Sequence, residues 1–169
     1  MEIKLEKLGF KFAEDIAVAL SDRRIRANLR DLPSPYTVEH AREFISAMLS
    51  DADTNFAYAI TADGSFAGCI TATRQQNIHS RTAEVGYYVI YGLWGKGIAT
   101  RALQLLCKSI FENTDIIRLY ADPFARNSAS CRVLEKAGFI FEGTLRQNAI
   151  KSGVVEDMKM YSLCKNHDL

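Results

Sequence analysis

With 169 residues, 48% of them hydrophobic and 24% charged, the chain is expected to fold as one soluble domain over residues 1–169, large enough to need neither disulfide nor metal. Its 21 Lys and Arg against 20 Asp and Glu leave a formal net charge of +1, which argues against a nucleic-acid binder, whose basic excess is concentrated. The opening MEIKLEKLGF has no apolar signal core and no apolar run is long enough for a bilayer, so the expectation is a cytoplasmic protein with no membrane partner.

Ile3 and Leu5 alternate with charge, as in a short edge strand. Residues 12–27 predict a helix, in which Arg23, Arg24 and Arg26, with Arg30 beyond, form a basic cluster flanked by Asp22 and Asp31. The expectation for that cluster is a solvated helix face. Two prolines make 32–37 a loop, and Thr37 caps a helix carrying Ala41, Phe44, Ile45, Met48 and Leu49 at helical spacing. A hairpin follows, 55–61 and 66–73, turned by Asp63-Gly64. Residues 83–90, rich in Tyr and Val, predict a third strand. Ile98, Ala102, Leu105, Leu106 and Ile110 then mark one face of a helix. Residues 116–121 predict a short apolar strand. Asn127 caps a further helix with Ala129, Val133, Leu134 and Ala137 inward, and Gly138 ends it. Strands at 139–147 and 154–163, joined through Lys151-Ser152-Gly153, close the chain. The order β-α-α-β-β-β-α-β-α-β-β predicts an α/β (α+β) domain with a mixed sheet, and a right-handed crossover joining strand 83–90 to strand 116–121.

The four cysteines, Cys69, Cys107, Cys131 and Cys164, lack zinc-knuckle or CxxC spacing and sit among apolar residues, which predicts free core thiols in a reducing compartment. The most informative stretch is Gly92-Leu93-Trp94-Gly95-Lys96-Gly97-Ile98-Ala99-Thr100, between a strand and a helix. Glycines let a ligand approach the backbone, and the free N–H groups of a helix start attract an anion, with Lys96 adding charge. A pyrophosphate cradle is the physical expectation; a plain strand-to-helix turn is the alternative. A Walker A loop would need glycine at 90 and Ser or Thr at 97, where Ile90 and Gly97 stand. A dinucleotide fingerprint would need glycine at 100, which is Thr100.

Trp94 to Ala99 instead resembles the acyl-coenzyme A motif Q/R-x-x-G-x-G/A of GNAT acetyltransferases, with Trp94 departing at the first position and Gly97 and Ala99 filling the small ones. The resemblance extends along the chain. The Pro35-Tyr36-Thr37 entry, Glu84-Val85-Gly86-Tyr87, Asn127-Ser128-Ala129-Ser130, Glu135-Lys136-Ala137-Gly138-Phe139, Glu142-Gly143, Asp157 and Tyr161 are similar to segments of the branch that acetylates ribosomal-protein N-termini. It implies the GNAT acyl-CoA N-acyltransferase fold, acetyl-coenzyme A as co-substrate without a metal, and an amine acceptor. That acceptor is a protein N-terminus or a small molecule such as a polyamine, amino acid derivative or aminoglycoside. A non-catalytic acyl-coenzyme A sensor is the rival reading. The sequence leaves the oligomeric state open, a dimer included.

The same resemblance implies site residues. Val89 would supply main-chain bonds to the pantetheine arm and Asn127 a side-chain bond. Trp94, Gly95, Lys96, Gly97, Ile98, Ala99 and Thr100 would hold the pyrophosphate. Glu84 is the candidate general base, with a cross-strand ion pair as its other reading. Ser130 is the candidate acid for the thiolate, or else a residue closing the helix cap; Tyr120 and Tyr161 are alternative donors. His40, His79 and His167 stand in unrelated segments and are expected to be ordinary polar residues. Transfer is expected to be direct, with Cys131 packing rather than attacking.

Overall fold

The computed structural model describes residues 1–165, so His167 lies outside the described residues. The elements run β1 (Ile3–Lys7), α1 (Ala13–Leu20), α2 (Arg23–Arg26), α3 (Val38–Leu49), β2 (Asn55–Ala62), β3 (Ser65–Arg74), β4 (Thr82–Val89), α4 (Ile98–Asn113), β5 (Arg118–Ala121), α5 (Ser128–Lys136), β6 (Ile140–Lys151) and β7 (Val154–Cys164), with short 3-10 turns at Phe10–Phe12, Asn77–His79 and Tyr91–Leu93.

The helix expected over 12–27 is two helices. The Ser21 hydroxyl donates back to the Ala17 carbonyl at 2.8 Å, and Asp22 turns extended (φ −76°, ψ 119°). Its carboxylate then accepts the Arg24 N–H at 2.9 Å and so starts α2 afresh. Apolar spacing continues through the break; a short acidic side chain that prefers the backbone amides makes it.

The strands form one seven-stranded sheet in the order β1-β2-β3-β4-β5-β7-β6. Every pairing is antiparallel except β4 with β5, which the crossover through α4 makes parallel. This is the mixed α/β architecture the sequence predicts, with apolar cores on both faces. Ile16 of α1 and Ala41 and Ile45 of α3 pack with Ala57, Ala59 and Cys69 on one face. Ile98, Ala102, Leu103, Leu106 and Ile110 of α4 pack with Val85, Val89 and Leu119 on the other. Alternation along β2 serves both, because Ala57 and Ala59 face one core while Ile60 and Ala62 face the other. Leu103 and Leu106 are fully buried, each worth roughly 2 kcal/mol of transfer free energy.

Two burial expectations are corrected. Cys69, Cys107 and Cys131 are buried free thiols, but Cys164 at the end of β7 is exposed. Ala129 is exposed rather than inward; α5 buries Cys131 and Leu134, with Val133 and Ala137 packed half-buried against the same core as expected. The first turn of α5 stands over a cleft, and that cleft starts where the sheet opens.

Candidate active site

β4 and β5 pair only through Thr82, Ala83 and Glu84 against Arg118, Leu119 and Tyr120. Beyond Glu84 the strands part, β4 following β3 to Val89 while β5 ends at Ala121. A cleft of about 450 Å³ opens in the gap, lined from α2, β4, α4, α5 and β7. The register of β4 on β3 sets what its backbone presents there. Ile90 N–H bonds the Ala67 carbonyl at 2.8 Å, so its neighbour Val89, opposite Gly68, turns its own N–H and carbonyl away from β3 into the gap. The indole N–H of Trp94 donates to that carbonyl at 2.7 Å. Val89 thus keeps its N–H for a ligand, while its carbonyl is already held.

At the near end of the cleft, Gly95 (φ 76°) and Gly97 (φ 77°) are both left-handed, a conformation that glycine takes without cost. A Cβ added to either would meet nothing within 4 Å; it would project into open space. Gly97 caps α4 without a side-chain bond, and the first in-helix acceptor is taken by Arg101, whose N–H reaches the Gly97 carbonyl at 3.0 Å. The amides of Ile98, Ala99 and Thr100 are left without helical partners, at the positive end of a 16-residue helix. Trp94, Gly95, Gly97, Ile98, Ala99 and Thr100 all line the cleft. Lys96 does not: its side chain is exposed and outside the lining. Arg132 and Lys136, one turn apart on α5, do line it, and the sequence reading missed them. Their (i, i+4) basic spacing was the available signal.

On the opposite wall, Asn127 accepts the Ser130 N–H at 3.2 Å and caps α5, as expected. The Ser130 hydroxyl lies 2.8 Å from the Tyr87 hydroxyl. Burial pushes Tyr87 well above the ordinary tyrosine range. Tyr87 was read only as part of a strand signature; its pairing with Ser130 spans 43 residues and leaves no local trace. Of the alternative donors, Tyr161 is buried and donates to Glu135 at 3.0 Å, away from the cleft, while Tyr120 sits beside Glu84 but not in the lining.

Glu84 does line the cleft, and it is ion-paired, though not across strands: Arg30 reaches its carboxylate at 3.0 Å from the segment after α2. That segment, 27–31, is fastened over the cleft. Lys151 pairs with Asp31 at 2.9 Å, and Arg126 donates to Asn28 and to the Ala27 carbonyl, each at 2.8 Å. The basic cluster is solvated, as expected, with Arg23, Arg24 and Arg30 exposed, and its members also make specific contacts. Arg30 serves Glu84, Arg24 pairs with Asp22 and lies 3.4 Å over the Tyr91 ring, and Arg26 donates to the Leu32 carbonyl. Asp122, at the end of β5, also lines the cleft, and sequence reasoning passed over it. Burial first, and the nearby Glu84 charge second, push its carboxyl above the ordinary range.

His40 takes part in the cap of α3, accepting the Thr37 N–H at 3.1 Å, and His79 is exposed in its turn. Among the described residues no group of three or more His, Cys, Asp or Glu is arranged to hold a metal ion, and no helix is long and apolar enough to cross a membrane.

Known proteins resemble this chain in sequence and in fold. A family model described as acetyltransferase (GNAT) domain matches residues 4–140. Probable N-acetyltransferase YjcK of Bacillus subtilis (strain 168) is 32% identical over 137 residues, 79% of this chain and 76% of that protein. Ribosomal-protein-serine acetyltransferase of Escherichia coli (strain K12) is 28% identical over 62% of this chain and 58% of its own. Among solved structures, the microcin C7 self immunity acetyltransferase MccE in complex with acetyl-CoA and AMP matches with a TM-score of 0.87 and 23% identity, over 97% of this chain and 93% of that one. RimL, a ribosomal L7/L12 alpha-N-protein acetyltransferase in complex with coenzyme A, matches at 0.85 and 22%, over 96% and 93%. At these identities the structural likeness is one of fold.

Proposed function

The chain belongs to the GNAT acetyltransferase family, and on that premise we propose that its acceptor is a protein N-terminal α-amine, acetylated directly while both substrates are bound. As a family member it is an acetyl-CoA-dependent N-acetyltransferase. One observation carries the assignment of the site. The left-handed Gly95 and Gly97, with open space where side chains would stand, face the same cleft as the Ser130–Tyr87 hydroxyl pair.

The fit of coenzyme A to that cleft divides among its walls. The amides of Ile98, Ala99 and Thr100 hold the pyrophosphate, and Arg132 and Lys136 add positive charge for the remaining phosphate. The outward Val89 N–H and the Asn127 amide take the pantetheine arm, and Trp94 fixes the Val89 carbonyl against which the arm lies. In the transfer, the amine nitrogen attacks the thioester carbon, the C–N bond forms, the C–S bond breaks, and the sulfur leaves with a proton. Ser130 supplies that proton and regains one, through water, from the nitrogen, which sheds a proton as it becomes an amide. Tyr87, held protonated by burial, lies 2.8 Å from the Ser130 hydroxyl, and with the tyrosine as donor of that pair the serine proton is free to point at the sulfur. Cys131, buried toward the core and outside the lining, has no part in a covalent step.

Two considerations favour an α-amine. A protein N-terminus has a pKa near 8 against about 10.4 for lysine, and so loses its proton more readily. The relative from Escherichia coli named above acts on ribosomal-protein serine. A small-molecule acceptor has one observation behind it, a 33% match to a kanamycin resistance protein of Rhizobium radiobacter that spans only 30% of this chain. An acceptor screen decides: the purified protein, acetyl-CoA and a thiol-detecting dye are mixed with N-terminal peptides, polyamines or aminoglycosides. Thiol release with the peptides is expected. Release with polyamines or aminoglycosides alone would overturn the proposal.

A further inference from the structure

Two carboxylates look into the acceptor end of the cleft, and the structure treats them differently. Glu84 is held by Arg30 at 3.0 Å, so its charge is already answered. Asp122 makes no ion pair and no hydrogen bond to another residue among the described residues, leaning only toward its own N–H, yet it lines the same cleft and is only partly exposed. Tyr120 is the register partner of Glu84 across β4 and β5, and Asp122 follows two residues later, just past the end of β5 at Ala121, with both carboxylates lining the cleft.

We propose that Asp122, and not Glu84, takes the proton from the incoming ammonium, while Arg30 and Glu84 form a neutral pair that shapes the entrance. This rests on the amine-acetylation reading above. The step balances simply: the ammonium N–H bond breaks, its proton passes to an Asp122 oxygen directly or through one water, and the neutral amine keeps the electron pair that attacks the thioester carbon. The proton on Asp122 returns to solvent after the product leaves.

The charges facing Asp122 fit this task. Glu84 on β4 raises its affinity for a proton and Arg30 from segment 27–31 partly offsets that, with burial the largest contribution. Tyr120 on β5 is itself pushed up by burial and by Glu84 and Asp122, so it stays neutral. Met158 is the lining residue from β7 and brings no charge; Arg132 and Lys136 of α5 belong to the coenzyme end. A half-buried carboxylate above its usual range, with no cation bonded to it, is suited to accept a proton near neutrality.

The test is the pH dependence of kcat/KM for the amine, measured on the whole chain with Asp122→Asn and Glu84→Gln. The parent binds the ammonium and deprotonates it, so its activity should rise with pH through the Asp122 carboxyl. Asp122→Asn can use only amine that is already neutral, and its profile should move up to the acceptor's own pKa, near 8. The loss is then about 100-fold at pH 6 and only a few-fold at pH 9. Asp122→Glu should restore the parent's profile in part, and coenzyme A affinity by calorimetry should match the parent in every variant. Glu84→Gln removes a charge that raises Asp122, so its profile should move slightly to lower pH and not up to the acceptor's own pKa. An unshifted profile for Asp122→Asn, or an upward shift to the acceptor's pKa with Glu84→Gln instead, would overturn the assignment. A parent protein that acetylates no primary amine would overturn the acceptor reading beneath it, a distinct result.

Discussion

At the scale of single residues, the Ser130–Tyr87 pair makes the sharpest claim. Ser130→Ala should lower kcat about 10- to 100-fold and leave coenzyme A affinity within about two-fold, because the cap of α5 belongs to Asn127. Affinity can be read from the emission of Trp94, the chain's single tryptophan, which lines the cleft. Gly97→Ala should act in the opposite sense. At φ 77° any L side chain is strained by about 1 kcal/mol, and its methyl enters the space given to the anion. Calorimetric affinity for coenzyme A should fall at least about 10-fold with the far-ultraviolet dichroism unchanged. The left-handed glycines and the Asn127 cap were legible in the sequence because each acts within its own turn, where spacing is the whole geometry; Ser130 came only through the resemblance, since its hydroxyl partner stands 43 residues away. Asp122, Arg30 and Tyr87 were not legible. Arg30 meets Glu84 from 54 residues away, and no local pattern announces such a pair.

At the scale of elements, nearly every strand and helix followed from periodicity and caps. The one misread helix broke at Asp22, a residue that competes for backbone amides and is invisible to a hydrophobic period. β6 also runs further than the apolar pattern suggested, to Lys151, through two irregularities of register against β7. The end of β4 depends on a neighbour that no pattern marks. A Cβ on Gly68 would collide with the Tyr88 carbonyl oxygen and lie 2.9 Å from the Val89 Cα. Gly68→Ala must therefore push β4 away from β3 at the point where Val89 presents its N–H. A cost of about 1–3 kcal/mol should appear as a lower Tm, and coenzyme A affinity should weaken with it. A variant with the parent's Tm and affinity would show that β4 yields without cost.

At the scale of the whole molecule, one ion pair ties the two sides of the sheet's far half. Arg118 of β5 grips Glu142 of β6 with two bonds, 2.7 and 2.6 Å, and Ser162 of β7 adds a third at 2.6 Å. The Arg118 guanidinium first, and the Ser162 hydroxyl second, hold Glu142 down to about 2 against a usual 4.5. A carboxyl depressed in the folded state stabilises above its unfolded pKa, and the benefit fades as pH falls from about 4.5 toward about 2. The pair is partly exposed, so its worth is discounted to roughly 1 kcal/mol. Arg118→Met should lower Tm at pH 7 by a few degrees and leave it nearly unchanged at pH 2, as thermal scans at both values would show. The parallel seam has a broader consequence. β1 to β4 form one antiparallel ribbon and β5 to β7 another, and three residue pairs stitch them. A coenzyme lying along that gap acts as mortar between two leaves. Without it, amide exchange at Arg118 and Tyr120, whose N–H groups face β4, should outpace exchange in the β2–β3 ladder; with saturating coenzyme A the two rates should converge, and the leaves should melt as one.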